Sequence, residues 1–200
     1  MEKEDEKRIP VKKGMNGNIL DYLHDLIYIL AAVVLVCLLF FRVVVVNGSS
    51  MYNTLIDGDY LLLVSNTFYH QPQQGDIIVA SKDTFDDGKP IVKRVIATEG
   101  QFVDIDFSTG TVYVDGTALE EEYTYSKATL NEGVSFPLRV EKGHVFVLGD
   151  NRGRSRDSRS PDIGQIDHRE ILGKAIFLFM PGTNGGNDPF DFSRIGVLGK

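Results

Sequence analysis

The apolar run at residues 26–41 constrains the fold most, because it contains no charged residue over its whole length. A helix rises about 1.5 Å per residue, so about 20 residues are needed to cross the hydrocarbon core of a bilayer. The run reaches this length with flanking residues such as 43–46, and Arg42 can extend its charge to the interface. We therefore predict a transmembrane helix over residues 19–42.

Two other interpretations of this run are less favoured. A charged start before an apolar segment also resembles a cleavable secretory signal, but no small-x-small cleavage site follows Phe41 and the run is longer than a usual signal core. A helix buried in a protein core is expected to show polar residues at helical spacing, and residues 26–41 show none. A membrane span remains the prediction.

The distribution of basic residues predicts the orientation of this span. The basic residues that precede the run are Lys3, Lys7, Arg8, Lys12 and Lys13. Arg42 alone follows shortly after it, and basic flanks stay in the cytoplasm. We predict a single-pass protein of the cell membrane in which residues 1–18 form a flexible cytoplasmic tail and the rest is extracytoplasmic.

Composition excludes several classes of function. The net charge of −7 argues against nucleic acid as a partner, because phosphate binding needs clustered basic residues. Cys37 is the only cysteine, so an intramolecular disulfide and Cys-x-x-Cys redox or zinc motifs are excluded. We predict no metal and no cofactor, and a monomer.

After residue 42 the chain consists of short β-type runs separated by turn residues such as Asp-Gly. The predicted strands are residues 43–46, 60–64, 76–81, 91–97, 102–106, 111–114, 144–148 and 174–179. No convincing amphipathic helix follows the apolar run. The sequence predicts a mainly β domain over residues 43–181 with mostly antiparallel neighbours, followed by a loop and short tail over residues 182–200.

Ser50 and Lys93 most clearly suggest chemistry. Ser50 follows the apolar residues 43–46, and Lys93 lies inside the apolar residues 90–96. A serine hydroxyl needs a base before it attacks, and neither segment contains a histidine. Burial penalises the charged form of a lysine and lowers its pKa from about 10.4 towards neutrality. The pair therefore indicates a hydrolase that uses Lys93 as the base.

Each residue of this pair also has a purely structural interpretation. The segment around Ser50 could be only a turn that leaves a strand, and Lys93 with Arg94 could be two solvated charges on an exposed edge. Alternation along a strand places Lys93 and Arg94 on opposite faces, so that one faces a site while the other reaches water or a carboxylate. Ser49 points away from Ser50 for the same reason.

Three segments carry a family resemblance. Residues 48–55 are Gly-Ser-Ser-Met-Tyr-Asn-Thr-Leu, and residues 75–79 and 92–96 are Gly-Asp-Ile-Ile-Val and Val-Lys-Arg-Val-Ile. Residues 149–159, here called the third motif, are Gly-Asp-Asn-Arg-Gly-Arg-Ser-Arg-Asp-Ser-Arg. Together they resemble the bacterial type I signal peptidases, the membrane-bound Ser–Lys proteases that remove leader peptides from exported proteins. Asn53 departs from the pattern, because proline is usual there.

The resemblance implies a role for each matched residue. Ser50 is the nucleophile, its backbone N–H is an oxyanion donor, and Lys93 is the general base. The supporting residues come from the third motif: Ser155, Asp150, Arg152, Asp157 and Arg159. Ser155 is expected to hydrogen-bond the lysine amine, and the charged members are expected to form ion pairs that fix the loop.

The resemblance also implies the fold and the substrate. It suggests antiparallel sheets or a partly open barrel of the signal-peptidase type, in a minimal form like that of Gram-positive bacteria. Signal peptides of exported preproteins are the expected partners at the bilayer, bound as an added strand and cut after small residues such as alanine. The expected substrate-binding residues are Gly48, Met51, Leu55 and Val92.

Two alternatives remain open. A self-cleaving repressor with the same Ser–Lys chemistry needs an N-terminal DNA-binding domain, and the apolar run occupies that place. A catalytically weak or idle assembly factor for surface structures typically loses the serine or the lysine. Both residues are present here, so an active peptidase is favoured.

Overall fold

The computed structural model describes residues 15–198. Of the predicted tail, residues 1–14 lie outside the described residues. Helix α1 spans Met15–Phe40, and its part from Ile19 to Phe40 has a mean hydropathy of 2.5. Within the described part of the chain, α1 is the one helix long and apolar enough to cross a bilayer.

Helix α1 ends earlier than predicted. Phe41 and Arg42, expected at the end of the helix, begin the first strand instead. The valines that follow favour extended backbone, and this strand pairs along its whole length with the next one. The chain divides after residue 39 into two compact units, so that α1 and the β domain are described separately.

The described β domain contains twelve strands. They are β1 (Phe41–Val45), β2 (Tyr60–Ser65), β3 (Ile77–Ala80), β4 (Ile91–Thr98), β5 (Phe102–Asp106), β6 (Thr111–Val114), β7 (Thr117–Ala118), β8 (Leu138–Arg139), β9 (His144–Leu148), β10 (Ile166–Asp167), β11 (Ile171–Met180) and β12 (Gly196–Val197). Each predicted strand is present: β5, β6 and β9 have the predicted ends, and the ends of the others differ by at most three residues. The strands that were not predicted have two residues each.

The main sheet has the strand order β1-β2-β11-β3-β4-β9-β10, with β12 paired to β11. All of its pairs are antiparallel, and β1 and β10 are the two edge strands, which do not pair with each other. A second antiparallel sheet has the order β7-β6-β5-β8. The prediction of a mainly β fold of antiparallel sheets is confirmed.

One buried cluster supports the turn at residues 48–55, which carries Ser50 and is here called the serine turn. Met51 and Leu55 leave this turn and pack with Leu61 and Leu63 of β2 and with Val92 of β4. Removal of these side chains from water contributes about 1.5–3 kcal/mol each. The serine turn is therefore held on the main sheet by its own apolar residues.

Candidate active site

The backbone at Gly48 shapes the serine turn. Its φ is +90°, in the left-handed region where a residue with a side chain is strained. Its N–H donates to Asp57 Oδ1 at 2.7 Å, which fixes the residues just before Ser50. Gly48 therefore has neither a side chain nor a free N–H to offer a reacting group.

Ser50 and Lys93 lie in direct contact. Lys93 Nζ donates to Ser50 Oγ at 2.8 Å and to the carbonyl of Val92 at 3.1 Å. Lys93 lies on β4 and is only 5% exposed. The structure thus brings together the hydroxyl and the amine that were selected from sequence.

Burial lowers the pKa of Lys93 from 10.5 to about 8. The nearby carboxylates of Asp157, Asp150 and Glu132 act in the opposite direction, but the loss of hydration outweighs them. An amine with this pKa is partly uncharged at neutral pH. It can therefore accept a proton from a hydroxyl at 2.8 Å.

Arg94 uses the opposite face of β4, as alternation along a strand requires. Its guanidinium donates to Asp150 from Nε at 2.9 Å and from a terminal nitrogen at 2.7 Å, and both side chains are buried. Thr54 Oγ1 donates to the same carboxylate at 2.5 Å. This ion pair ties β4, the third motif and the serine turn together.

Within the third motif, Arg159 pairs with Asp157. The guanidinium donates to the two carboxylate oxygens at 2.8 and 2.9 Å, and both side chains are 0% exposed. Arg159 also donates to the carbonyl of Arg152 at 2.8 Å, and Gly149 N–H donates to Asp157 at 3.1 Å. The pair therefore links the two ends of the third motif to each other.

Arg152 has a partner that sequence reasoning missed. Its two terminal nitrogens donate to Glu121 at 2.9 and 2.5 Å. Asp150 and Arg152 thus pair with residues outside the third motif rather than with each other. No local pattern identifies Glu121, because it lies in an irregular segment far from the motif in sequence.

Ser155 differs from expectation. Its hydroxyl donates to the carbonyl of Arg156 at 3.4 Å, and the hydrogen bonds of the Lys93 amine go elsewhere. Ser155 is nevertheless packed beside the site. A Cβ added to Gly149 would lie 2.2 Å from Ser155 Oγ and 2.5 Å from the Ser50 carbonyl oxygen, so only glycine fits between them.

Asn151 holds the backbone at Ser49 and Ser50. Its side-chain amide donates to the Ser49 carbonyl at 3.0 Å, and its own N–H donates to the Ser50 carbonyl at 2.9 Å. Ser126 Oγ donates to the Asn151 side-chain oxygen at 3.1 Å and orients that amide. Sequence reasoning gave Asn151 no role, although it lies inside the third motif.

A cleft of about 420 Å³ opens beside Ser50. Residues 45–51 form one wall and residues 89–93 form the other. Gly48, Met51 and Val92 line this cleft. Leu55 does not, because it is fully buried in the core below the serine turn.

The segment after β11 forms hydrogen bonds with the serine turn and with the residues that follow it. Arg194 donates to both carboxylate oxygens of Asp59 at 2.8 and 2.6 Å and to the carbonyl of Thr54 at 3.3 Å. Asp59 is fully buried and also accepts the N–H of Gly182 at 2.7 Å. This segment was predicted only as a loop and tail, since no local pattern indicates a pair 135 residues apart.

Comparison with known proteins identifies the family. The family described as "Signal peptidase, peptidase S26" matches residues 19–180. The chain is 38% identical over 168 residues to the "Probable signal peptidase I-1" of Synechocystis sp.. This match covers 79% of this chain and 82% of that protein. It is 36% identical over 149 residues to the "Signal peptidase I" of Bacillus amyloliquefaciens, covering 70% of this chain and 75% of that protein.

Among solved structures, a signal peptidase I from Enterococcus faecalis is 31% identical to this chain with a TM-score of 0.42. The match covers 52% of this chain and 96% of the other. The sequence matches extend over the segments that carry Ser50, Lys93 and the third motif. The chain therefore belongs to the signal peptidase family, peptidase S26, and is a type I signal peptidase.

Proposed function

We propose that the chain is a membrane-anchored serine endopeptidase that removes signal peptides from exported preproteins with a Ser50–Lys93 dyad. The observation that carries this proposal is the 2.8 Å hydrogen bond between Lys93 Nζ and Ser50 Oγ. The amine is buried, so its uncharged form is accessible near neutral pH. The proposed nucleophile and base then lie in direct contact, and the base is shielded from water.

In the proposed mechanism, neutral Lys93 takes the Ser50 hydroxyl proton while Oγ attacks the scissile carbonyl carbon. The resulting lysine ammonium gives this proton to the leaving amine as the peptide bond breaks. Lys93 then takes a proton from water, which attacks the acyl-enzyme and releases the signal peptide with a free carboxylate. Ser50 recovers its proton in the last step.

The tetrahedral intermediates need donors for their oxyanion, each worth about 3 kcal/mol of the barrier. Among the described residues, the N–H of Ser50 makes no hydrogen bond and is the donor we propose. The N–H of Gly48 is already bound to Asp57. Ser155, Asp150, Arg152, Asp157 and Arg159 then act as supporting residues that hold the loop beside the dyad.

The substrate is proposed to lie extended in the cleft between residues 45–48 and the start of β4. Met51 and Val92 form the floor of this cleft and are almost completely buried, so the cleft offers little depth for a side chain of the substrate. A shallow cleft favours a small substrate residue such as alanine, both immediately before the cleaved bond and two residues further back. The specificity is therefore of the Ala-x-Ala type.

This specificity predicts the effect of a bulky residue in the substrate. Replacing the alanine before the cleaved bond by phenylalanine is expected to lower kcat/KM by about 10–100-fold, since forcing a large side chain into a filled site costs about 1–3 kcal/mol. Phenylalanine at the middle position of Ala-x-Ala is the matched control and should be tolerated. The detergent-solubilised chain is incubated with each test preprotein, and mass spectrometry locates the cut. Equal losses at both positions would contradict the proposed floor.

The apolar helix α1 is proposed to be a single membrane anchor with the N-terminus in the cytoplasm. Its span is long enough for the bilayer, and of its flanks the preceding one carries five basic residues, whereas Arg42 alone follows shortly after it. The catalytic domain, residues 43–181, then lies outside the cell at the lipid surface, where exported preproteins emerge. A monomer suffices, because the proposed dyad lies within one chain.

Cysteine labelling tests this orientation, because Cys37 is the only native cysteine and lies inside α1. Asn131→Cys, at an exposed position of the β domain, should react with a membrane-impermeant maleimide in intact cells. Lys7→Cys should react only after lysis. The parent chain serves as the control for Cys37. The reverse labelling pattern would show an inverted protein.

The idle assembly factor makes a different prediction for the same cleavage assay. An idle protein leaves the test preprotein intact, whereas the proposed peptidase produces two fragments. The presence of both dyad groups within hydrogen-bonding distance supports the active peptidase.

A further inference from the structure

A second pocket lies beside the serine turn and has no role in the mechanism above. Its volume is about 300 Å³. We call it the polar pocket, and its lining residues are Ser49, Tyr52, Tyr125, Asn151, Arg154 and Asn184. Every one of these side chains carries a polar group, in contrast to the apolar floor of the cleft.

The polar pocket adjoins the cleft. Ser49 and Arg154 line both cavities, and Ser50 lies on the cleft side of Ser49. The polar pocket is therefore within reach of a peptide that lies in the cleft and continues past Ser50 in the direction of Ser49.

The floor of this pocket is well fixed. Asn151 is buried, and its side chain and N–H both hold carbonyls of the serine turn. Tyr125 N–H donates to the Asp150 carbonyl at 3.0 Å, and the rings of Tyr52 and Tyr125 meet edge to face with centroids 4.8 Å apart. The pocket is thus built from the elements that position the nucleophile.

Arg154 gives the polar pocket its charge. The other arginines of the third motif are paired, Arg152 with Glu121, Arg156 with Asp162 and Arg159 with Asp157. Among the described residues, the exposed guanidinium of Arg154 makes no ion pair or hydrogen bond. The pocket lining contains no acidic side chain, although the whole chain has a net charge of −7.

We propose that the polar pocket receives the residues that follow the cleaved bond and that Arg154 makes it select an acidic side chain over a basic one there. This inference rests on the proposed function, because it needs a peptide bound at Ser50. It assigns a specificity role to a residue that takes no part in the proton transfers.

The expected preference is modest and sensitive to salt. Attraction of an acid and repulsion of a lysine are both weak at an exposed arginine, so acid over base should be favoured by about three- to tenfold in kcat/KM. Screening becomes strong when the Debye length falls from about 10 Å at 0.1 M salt towards 3 Å at 1 M. At 1 M salt the ratio of kcat/KM for the acidic substrate to that for the basic substrate should then approach one.

The experiment uses the solubilised full chain and three test preproteins that differ only at the second residue after the cut, which is Asp, Gln or Lys. Each kcat/KM is divided by the value for the Gln substrate. The parent chain should prefer Asp over Lys at low salt, Arg154→Gln should lose this preference, Arg154→Lys should keep it and Arg154→Glu should invert it.

Lys127→Gln is the matched control, because it removes one positive charge at an exposed position that lines neither cavity. It should keep the parental preference. An Asp-to-Lys ratio of one in the parent chain at low salt would overturn the inference, and so would equal ratios in the parent and Arg154→Gln. A dependence on Arg154 that appears only for charges placed before the cut would also overturn it, because the pocket would then bind the other side of the peptide.

These outcomes separate the inference from the proposed function. If the Gln substrate is cut at the expected bond without any charge preference, the peptidase stands and the assignment of Arg154 fails. If the parent chain cuts none of the three substrates, the proposed function itself fails. Should Arg154→Gln be inactive, the salt dependence of the parental ratio decides, since a ratio that persists at high salt contradicts an electrostatic origin.

Discussion

Replacing Lys93 by methionine is expected to lower kcat/KM for a preprotein by about three orders of magnitude or more while making the folded domain more stable. The loss follows because the Ser50 hydroxyl then has no base within hydrogen-bonding distance, and a positioned base contributes about 10²–10⁴-fold. Methionine keeps an unbranched chain of similar length in the buried site but carries no charge to desolvate.

The stability gain follows from the pKa of Lys93. Its folded value of about 8 lies below the ordinary 10.5, so the unfolded chain binds more protons between these two pH values. The stability of the parent chain should therefore rise with pH between about 8 and 10.5. Below this window the buried amine costs about 3 kcal/mol, and Lys93→Met should recover roughly 1–3 kcal/mol of it at pH 7.

Urea unfolding of the solubilised full chain at pH 7 and at pH 10.5 measures this gain, which should shrink at the higher pH. Ser50→Ala should abolish cleavage as completely as Lys93→Met, whereas Ser49→Ala is the matched control and should retain most activity. If Ser49→Ala were the inactive variant, the nucleophile would be misassigned. A Lys93→Met protein that is less stable than the parent would contradict the cost of burying the amine.

The second large effect is expected for Asp157→Asn. Breaking a buried ion pair costs about 3–5 kcal/mol, and the fully buried Arg159 would keep only the carboxylate of Glu132, at 3.3 Å, as an ionic partner. Asparagine can still accept the hydrogen bond from the Gly149 N–H, so the shape of the loop is preserved. The free energy of unfolding from urea titration should fall by this amount.

Asp157→Asn should also move the pH dependence of catalysis. Among the carboxylates that raise the pKa of Lys93, Asp157 has the largest effect, so removing its negative charge lowers this pKa. In the parent chain, kcat/KM should rise with pH to a plateau above about 8. In the variant this rise should occur at lower pH, where more of the amine is neutral.

Asp162→Asn is the matched control for this variant. Asp162 pairs with Arg156, and both side chains are exposed, so its loss should cost less than about 1 kcal/mol and leave the pH profile in place. A pH profile that stays unchanged in Asp157→Asn, or moves to higher pH, would contradict the electrostatic link between Asp157 and Lys93.

Local patterns in the sequence predicted most of the strands and the central pair of the site. Strands such as β4 and β9 combine β-branched residues with flanking turn residues, so their positions follow from propensity alone. Ser50 and Lys93 were selected because a serine without a nearby histidine needs another base. The alternation of Lys93 and Arg94 along β4 also predicted that one of them would face the site while the other reached water or a carboxylate.

Contacts between distant segments could not be predicted in this way. Asp150 was not identified as the partner of Arg94, because 56 residues separate them and many acidic residues were equally available. The insertion of β11 between β2 and β3 follows from the packing of the whole domain rather than from any local signal. Two-residue strands such as β12 carry too little pattern to be detected.

Two side-chain expectations failed for reasons of packing. Leu55 was expected in the cleft because it stands close to Ser50 in sequence, but the turn directs it into the core. Ser155 was expected to bond the lysine amine, whose hydrogen bonds are directed to Ser50 and to the carbonyl of Val92. A family pattern identifies which residues lie near the site, while the path of the backbone decides which atoms meet.

The place of β11 in the main sheet bears on how a newly made molecule becomes active. The proposed nucleophile, Ser50, lies between β1 and β2, and the proposed base, Lys93, lies on β4. Strand β11 joins these two halves of the sheet. Ribosomes deliver the chain from its N-terminus, so residues 171–180 arrive after both halves have already been synthesised. The protease should stay latent throughout its own biosynthesis, and neighbouring nascent chains are spared until its last strands have docked.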